Sequence, residues 1–463
     1  MDRRVFVAGG LAGLTLAAGD LLAAPAKRAV GPVLKQPPLA LCRTRKDIRN
    51  LTAAELAALK KGVMVMKARP STDPTSWAYQ AAIHGSTVSP AKPLWNSCQH
   101  GSLHFFSWHR LFLHYFESIL RTASGSASLT LPFWNWQAQR ALPAPFVDNT
   151  AGNPLFVGNR NAAMNGGGLL PTSSISTTSS FAETLFGNFS GDFEGTPHGA
   201  VHVSVGGWMS SVPTAAQDPI FWLHHCNVDR LWTRWLAQGG GRVNPGDAAW
   251  LNRTFTFFDA NGQQVTRKAS DALTTCDKLG YTYPAVTTVL RPGLLAKLLP
   301  ATMALAAPIE EAPAQALTLA GGVTRTTVAI SRPITEAAPG APARQVLAFE
   351  GIKVANPEGY YEIYLNPAKA EGLNENDPSY AGNLVFFGLP LAGQGGDHAM
   401  HDASDRRLFD VTRKLADLRR RGMVKSDNVN VVLVLRLPEG GGQQEAVQAE
   451  PRATIERVRL VAQ

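Results

Sequence analysis

Histidine is the residue type in this sequence that is best placed to do chemistry. Nine of the eleven histidines of the 463-residue chain lie between residues 84 and 225. They fall into two groups, with His84, His100, His104, His109 and His114 in the first and His198, His202, His224 and His225 in the second. Neutral imidazole is the commonest metal ligand among protein side chains. The two groups therefore indicate a metal centre with two similar halves.

The second group lies on two predicted helices. His198 and His202 are four residues apart, a spacing that puts both imidazoles on one face of a helix. Asp218 can cap, and Pro219 can begin, a second helix whose run IFWLHHCNVDRLW indicates that it is buried. The two adjacent histidines of that run differ by about 100° around the helix axis, so only one of them can face the metal.

In the first group, His100 and His109 bracket part of the run HGSLHFFSWHRLFLHYFE, which predicts a helix that is apolar nearly all round and is therefore buried. Its apolar positions are Phe105, Phe106, Trp108, Leu111, Phe112 and Phe116. A single histidine in such a helix is more often a core residue than a ligand, but two groups with almost no acidic residue among them favour a metal. A di-iron bundle would carry glutamates and a catalytic zinc takes two or three histidines, so six imidazoles favour a pair of copper ions.

The sequence resembles the type 3 copper proteins, which are the tyrosinases, the catechol oxidases and the oxygen carrier haemocyanin. The resemblance covers about residues 40 to 285. The first signature is seen in His100, Phe105, Trp108, His109, Arg110 and Glu117, and the second in Asp218, Pro219, Phe221, His225 and Asp229. LPFWNWQ and GYTYP also look like family segments. Such long patterns rarely occur by accident.

The resemblance implies a mainly α catalytic domain, built on a four-helix bundle that holds a dinuclear copper site. It implies that copper A is bound by His84, His100 and His109, and copper B by His198, His202 and His225, with dioxygen as the co-substrate. His104, His114 and His224 are then not ligands. Spacing alone leaves open which histidine of the adjacent pair binds the metal.

Cysteine chemistry is also implied. Cys98 stands two residues before His100, in the arrangement that fungal tyrosinases and molluscan haemocyanins use for a thioether bond. A Cys98–His100 crosslink would restrict how that imidazole tilts. The alternatives are a plain thiol or half of a disulfide. Cys226 is expected to be an inert packing residue, and Cys42 and Cys276 could pair, although spacing does not fix connectivity.

The predicted activity is the oxidation of phenols by dioxygen, with small phenols as substrates. A tyrosinase hydroxylates monophenols and oxidises o-diphenols to o-quinones, whereas a catechol oxidase does only the second. The family uses a glutamate-held water as a base, and Glu194 occupies that place. Gly199 stands where efficient tyrosinases often have Asn, and Val212 stands where a relative has a gate residue above the coppers. Alternatives are a catechol oxidase without monophenolase activity and haemocyanin-like oxygen binding.

The start of the chain predicts export from a bacterium, to the periplasm or the medium. Residues 1–26 look like a twin-arginine signal, with Arg3 and Arg4, an apolar stretch and a small-residue cleavage site. Asp20 interrupts the apolar run, so stable membrane association is not expected. The net charge of +9 is scattered, which argues against nucleic acid. A copper-loading helper is a further candidate partner, and no oligomeric state is indicated.

The chain divides into a catalytic domain at 27–284, a linker at 285–323 and a β-rich C-terminal domain at 324–463. Alternating segments such as ARQVLAFEGI, GYYEIYLN, NLVFFGL and VNVVLVLRL predict a β-sandwich. YYEIYLN and RLFDVTRKL resemble the domain that covers the copper site in latent polyphenol oxidases, which implies a latent enzyme. The alternative is a domain that only stabilises or mediates assembly. His398 and His401, in a Gly-rich loop, either hand copper to the site or are exposed loop histidines.

Overall fold

The computed structural model describes residues 42–284, 315–330, 345–389, 405–438 and 451–462. All of them fall in one compact unit that begins at Leu41. The predicted signal segment, residues 285–314 of the predicted linker, and both His398 and His401 lie outside the described residues.

Helices dominate the first half of the described chain. They are α1 (Ala53–Ala68), α2 (Trp77–His84), α3 (Phe105–Ser124), α4 (Ala144–Val147), α5 (Ala162–Asn165), α6 (Thr178–Ala182), α7 (Phe186–Phe193), α8 (Ala200–Val205), α9 (Val212–Ala215), α10 (Pro219–Ala237), α11 (Ala248–Asn252) and α12 (Thr275–Leu279). A π-helical segment, Glu194–Gly199, joins α7 to α8. None of the helices among the described residues is long and apolar enough to cross a membrane.

The helix ends follow local sequence rules. Thr52 and Glu55 form a reciprocal capping box at the start of α1. The Asp218 side chain accepts a hydrogen bond from the backbone N–H of Ile220 at 2.9 Å, and Pro219 occupies the first turn of α10, as the sequence predicts. α3 ends at Gly125, whose φ of 72° is left-handed and therefore suits glycine.

A buried ionic cluster fixes α3 against α10. Its members are Arg45, Arg110, Glu117, Asp229, Tyr281 and Tyr283. The Asp229 carboxylate accepts hydrogen bonds from Arg110 Nε at 2.5 Å and from the hydroxyls of Tyr281 and Tyr283 at 2.6 Å each. The GYTYP segment that ends the catalytic domain thus contacts the helix of the second copper signature. A disulfide between Cys42 and Cys276 joins the same region, so the two cysteines do pair.

Small strands complete the catalytic half. β1 (Arg43–Thr44) pairs in parallel with β4 (Tyr281–Thr282), and β2 (Thr254–Phe258) forms an antiparallel hairpin with β3 (Gln264–Lys268). They close the periphery of a core that is built mainly from the aromatic faces of α2, α3 and α10. The mainly α character of this half is therefore as predicted.

Among the described residues, the C-terminal half is a β-sandwich of two four-stranded sheets with one helix, α13 (Thr412–Arg420). One sheet has the order β10 (Arg407–Asp410), β7 (Gln345–Val354), β12 (Pro451–Ala462), β5 (Gln315–Ala320), and the other β6 (Val323–Ala329), β11 (Asn428–Arg436), β8 (Tyr360–Leu365), β9 (Tyr380–Leu384). All described pairings within the two sheets are antiparallel. This confirms the predicted fold class.

Two predicted limits differ from the structure. β5 lies inside the segment predicted as a linker, so the sandwich begins before residue 324. Its alternation spans only six residues next to an Ala, Leu and Pro rich stretch, and its pairing partner β12 is far along the chain. The predicted strand NLVFFGL ends at Leu384, and residues 385–389 continue as a loop towards the helical core. We call residues 385–389 the plug loop.

Candidate metal centre

The structure brings the six predicted ligands into one buried cluster. His84 ends α2, His100 lies in the loop before α3, His109 lies in α3, His198 in the π-helical segment, His202 in α8 and His225 in α10. Adjacent rings of the cluster have centroids 4.5 Å apart for His109 and His225, 4.7 Å for His198 and His202, and 5.2 Å for His84 and His100. Helical segments therefore position five of the six imidazoles, and a loop positions the sixth.

Backbone carbonyls set the orientation of four of these imidazoles. The Nδ1 atoms contact the carbonyl oxygens of Val212 for His84 at 3.1 Å, Phe105 for His109 at 2.8 Å, Glu194 for His198 at 3.0 Å and Met209 for His202 at 2.8 Å. A carbonyl only accepts, so Nδ1 carries the proton in each of these rings. Nε2 then presents its lone pair to the centre of the cluster, which is how metal-binding histidines are held.

The Nε2 atoms of the clustered histidines are mostly without hydrogen-bond partners in the part of the chain that the structure describes, as expected for nitrogens that bind a metal. The Nε2 atoms of His84, His100, His109 and His198 are buried and have no hydrogen-bond partner among the described residues. The Nε2 atoms of His202 and His225 are 3.3 Å apart, and the tautomer of His202 makes its Nε2 an acceptor. Buried polar atoms are rarely left unpaired. Convergent neutral imidazole nitrogens are the donors that copper takes.

Burial keeps these histidines neutral. It lowers the pKa of His84, His100, His198, His202 and His225 well below the usual value, and neighbouring imidazoles lower it further. Burial also lowers the pKa of His109 to about 3. An imidazole must be neutral to bind a metal, so at neutral pH the cluster needs no deprotonation before it accepts one.

The three other histidines of the two groups differ from one another. His104 stacks on Trp250, with ring centroids 5.3 Å apart, and His114 lies beside Tyr115 on α3. Neither belongs to the cluster. His224 is buried next to it, however, and one nitrogen of each of His198, His202, His224 and His225 lies within 4.8 Å of the others. His225 also groups in this way with His84 and His109, which places it between the two halves.

Cys98 lies beside His100, the residue with which the crosslink is predicted. Its Sγ is 3.3 Å from Nδ1 of His100, and it is buried. Burial raises the pKa of the Cys98 thiol, so it is protonated before any reaction. Cys226 is buried in α10 and is not part of a disulfide, in line with a packing role. The crosslink itself stays a prediction.

The backbone carbonyls of Glu194 and Val212 each orient one imidazole of the cluster. The Glu194 carbonyl oxygen holds His198, while its carboxylate accepts a hydrogen bond from the Gly101 N–H at 2.7 Å. Burial raises the pKa of Glu194 to about 7. Val212 holds His84 through its carbonyl, and its side chain is buried in the core. The base role of Glu194 and the gate role of Val212 stay predictions.

The plug loop of the C-terminal domain reaches the histidine cluster. The Phe387 ring stacks on the His202 ring, with centroids 3.9 Å apart and planes at 17°. It also meets His198 and His100 edge-on at 5.3 and 5.6 Å. Val385 and Phe387 both belong to the helical core of the catalytic half. An aromatic ring of this chain therefore covers the cluster.

Arg407, at the start of β10, holds the plug loop. Its Nη2 donates to the Phe387 carbonyl at 2.7 Å and its Nε to the Val385 carbonyl at 3.3 Å. Burial lowers the pKa of Arg407 to about 10, and the nearby Glu194 opposes this, so the guanidinium remains charged at neutral pH. Phe387 lies in NLVFFGL and Arg407 begins RLFDVTRKL, but neither pattern predicts that Arg407 holds the loop or that Phe387 reaches the histidines of the other domain.

A second contact joins the domains at the short helix Thr172–Ile175. The Ser173 Oγ and the Tyr360 hydroxyl are 2.6 Å apart. The Asn383 amide donates to the Ser173 carbonyl at 3.0 Å. Both Tyr360 and Asn383 are buried, so the C-terminal domain packs on the catalytic half through more than the plug loop.

The sequence matches known families along most of its length. The model described as the common central domain of tyrosinase matches residues 74–184 and 161–238. A model described as the polyphenol oxidase middle domain matches residues 244–290, and a domain of unknown function, DUF7868, matches residues 307–463.

Similarity to whole proteins extends the match to both domains. The chain is 32% identical to the tyrosinase HcTyr1 of Hahella sp. (strain CCB-MM4) over 85% of this chain and 95% of that protein. The chain belongs to the tyrosinase family. This family membership makes it a copper-dependent, phenol-oxidising oxidoreductase, as the sequence analysis predicts.

Two plant proteins are also similar to this chain. The chloroplastic polyphenol oxidase of Malus domestica is 31% identical over 54% of this chain, and the chain spans 50% of that protein's length. The structure of latent apple tyrosinase superposes with a TM-score of 0.62 at 25% identity, over 92% of this chain and 98% of the apple chain. The two-domain architecture is thus shared with a protein described as latent.

Proposed function

We propose that this tyrosinase-family chain oxidises o-diphenols to o-quinones and hydroxylates monophenols, with dioxygen as co-substrate, at a centre of two copper ions. We further propose that the C-terminal domain keeps the enzyme latent. The observation that carries the proposal is the set of six buried, neutral imidazoles, of which His84, His100, His109 and His198 have Nε2 atoms without hydrogen-bond partners among the described residues.

The two metal positions use the two histidine groups. His84, His100 and His109 would hold one copper ion, and His198, His202 and His225 the other. Copper bound there supplies electrons to dioxygen and a Lewis acid for a phenolic oxygen. The family assignment favours His225 over His224, and the location of His225 between the halves supports this, because His225 also groups with His84 and His109.

The chain's own groups orient the ligands and exclude water. Four backbone carbonyls hold Nδ1 and aim Nε2 inward, so the site is rigid before a metal arrives. Glu194, with a pKa near 7, is able to hold and accept a proton close to operating pH. It is the group we assign to deprotonating a monophenol through a bound water.

One observation favours the second candidate, a catechol oxidase. Gly199 offers no side chain to position the water beside Glu194, where efficient members of the family often have an asparagine. A chain that relies on Glu194 alone would lose monophenol hydroxylation before it lost o-diphenol oxidation, because an o-diphenol needs no new C–O bond and its two protons can leave with the oxygen that is reduced to water.

Oxygen uptake decides between these activities. Copper-loaded protein is cut in the segment 285–314, diluted until the two fragments separate, and offered a monophenol and then an o-diphenol. Uptake with both supports the tyrosinase proposal. Uptake with the diphenol alone means a catechol oxidase, and uptake with neither favours an oxygen-binding protein.

Latency is tested without a protease by Phe387→Ala in the full-length chain. Removing the ring that stacks on His202 opens the cluster, so the uncut variant gains o-diphenol oxidation. Leu408→Ala, at a 40% exposed position of β10, serves as the control and stays latent. An uncut parent chain as active as the cut one would contradict latency.

We also propose that the enzyme is exported, to the periplasm or the medium. Residues 1–26 support this through the arginine pair and the apolar stretch that follows it. Fractionation of the expressing cells tests it, with Arg3→Lys combined with Arg4→Lys as the variant that should retain the protein inside the cell.

A further inference from the structure

Gly199 lies where the plug loop meets the helix that carries two predicted copper ligands. A Cβ atom at this position would lie 3.1 Å from Val385 Cγ1 and 3.3 Å from Phe387 Cβ, and 3.2 Å from the Glu194 carbonyl oxygen. These distances are shorter than ordinary van der Waals contacts of 3.4 Å or more. Two of the three contacts are made by the C-terminal domain.

The backbone at this position does not itself require glycine. Gly199 has φ −64° and ψ −36°, which is ordinary right-handed helix. Alanine is a better helix former than glycine at such a position. The reason for glycine must therefore be sought in the space around it, and the plug loop fills that space.

We propose that Gly199 is a positioning residue for the C-terminal domain: its missing side chain lets Val385 and Phe387 pack against the helix of His198 and His202 and so keeps the enzyme closed. This rests on the proposed latency. It also links specificity to closure, because an asparagine at position 199 and the closed plug loop would occupy the same space.

The test compares full-length, copper-loaded Gly199→Ala and Gly199→Asn with the parent chain by hydrogen–deuterium exchange. We expect the exchange of residues 383–389 to rise roughly five- to thirtyfold, because overpacking shifts the equilibrium towards the open form. Gly191→Ala is the matched control, since no atom lies within 4 Å of a Cβ in that helical position. Unchanged exchange in both Gly199 variants would overturn the proposal.

A rescue variant separates a steric effect from general damage to the helix. Val385→Ala removes the Cγ1 atom that a new Cβ would meet. In Gly199→Ala combined with Val385→Ala, exchange of residues 383–389 should fall from that of Gly199→Ala most of the way to that of Val385→Ala alone, since only the longer contact with Phe387 Cβ remains. A double variant as open as Gly199→Ala would show that position 199 does not act through the plug loop, and would overturn the proposal.

Activity gives an independent reading. Uncut Gly199→Ala should oxidise o-diphenol faster than the uncut parent by about the same factor as the rise in exchange, and cutting should abolish that difference. If no form of the chain oxidises phenols, the proposed function fails, while exchange still decides whether Gly199 positions the plug loop.

Discussion

At the scale of single residues, the histidines that sequence patterns single out are those that the structure brings together. His100 is the least regular of them, since it lies in a loop and its place follows only from the family resemblance. His224 shows the limit of periodicity, because it lies next to the cluster although its side chain leaves α10 in a different direction from that of His225, which belongs to the cluster. Spacing predicts which residues share a helix face, but not how far a neighbouring ring reaches.

Copper content distinguishes a ligand from a bystander. His84→Gln removes a neutral donor whose Nε2 has no hydrogen-bond partner among the described residues, so copper per chain should fall to roughly half of the parent value. His104→Gln removes a histidine that stacks on Trp250, outside the cluster, and should keep the parent content. Metal analysis after dialysis measures both, and equal loss in the two variants would contradict the assignment.

Asp229 is the residue on which the buried ionic cluster depends. Asp229→Asn removes the charge that faces Arg110 and Arg45, and leaves two buried guanidinium groups with less compensation. We expect the free energy of unfolding of the metal-free chain to fall by about 3–5 kcal/mol. Asp417→Asn, on the surface of α13 with Arg420 and Arg421, should change it by less than about 0.5 kcal/mol. Urea titration of both variants tests this, and equal effects would contradict it.

The contribution of the Asp229 carboxylate to the free energy of unfolding should depend on pH. Burial alone would raise the pKa of Asp229, but Arg110 and Arg45 outweigh burial, so the pKa is lowered. A lowered pKa means that the ionised form stabilises the fold above the unfolded value of about 3.9, and that this stability is lost as the pH falls below it. The stability difference between the parent and Asp229→Asn should therefore shrink from about pH 6 to pH 3 in urea titrations. A constant difference would contradict this reasoning.

At the scale of elements, the strands that alternate in sequence form as predicted, with NLVFFGL as the informative exception. Its side chains do alternate between two sides, but each side is buried in a different core. Phe386 packs in the sandwich, while Val385 and Phe387 pack in the helical core. Alternating apolar residues predict a strand with one buried face. The sequence does not show that the other side of this segment is buried in a second core. The sequence therefore predicts a strand at the plug loop, but it does not predict that this segment contacts the catalytic domain.

Arg407 connects β10 to the plug loop and should control how firmly that loop is held. Arg407→Gln weakens the charged hydrogen bonds to the Val385 and Phe387 carbonyls. The uncut variant should oxidise o-diphenols roughly tenfold faster than the uncut parent, given the usual strength of such bonds. Arg413→Gln, exposed on α13, is the control. Oxygen electrode assays compare them, and a folded but fully latent Arg407→Gln would show that the loop holds its place without this arginine.

At the scale of the whole molecule, the sequence predicts two domains and a cover, but not the interface. Fold class follows from helix-period and strand-period patterns in the two halves. The interface depends on single contacts, such as Ser173 with Tyr360, between residues far apart in the chain. Local patterns do not encode such contacts, and the family resemblance implies only that the C-terminal domain covers the copper site.

The stacking of Phe387 on His202 has a consequence for how activity depends on dilution. In the intact chain the Phe387 ring and the histidine cluster that it covers belong to one molecule, so the ring is present at a fixed effective concentration, whatever the protein concentration. A cut between residues 285 and 314 turns this into an ordinary binding equilibrium between two fragments. Cut enzyme should therefore be inactive when concentrated and become active on dilution, whereas intact enzyme should remain inactive at every dilution. A dilution series of o-diphenol oxidation distinguishes the two forms.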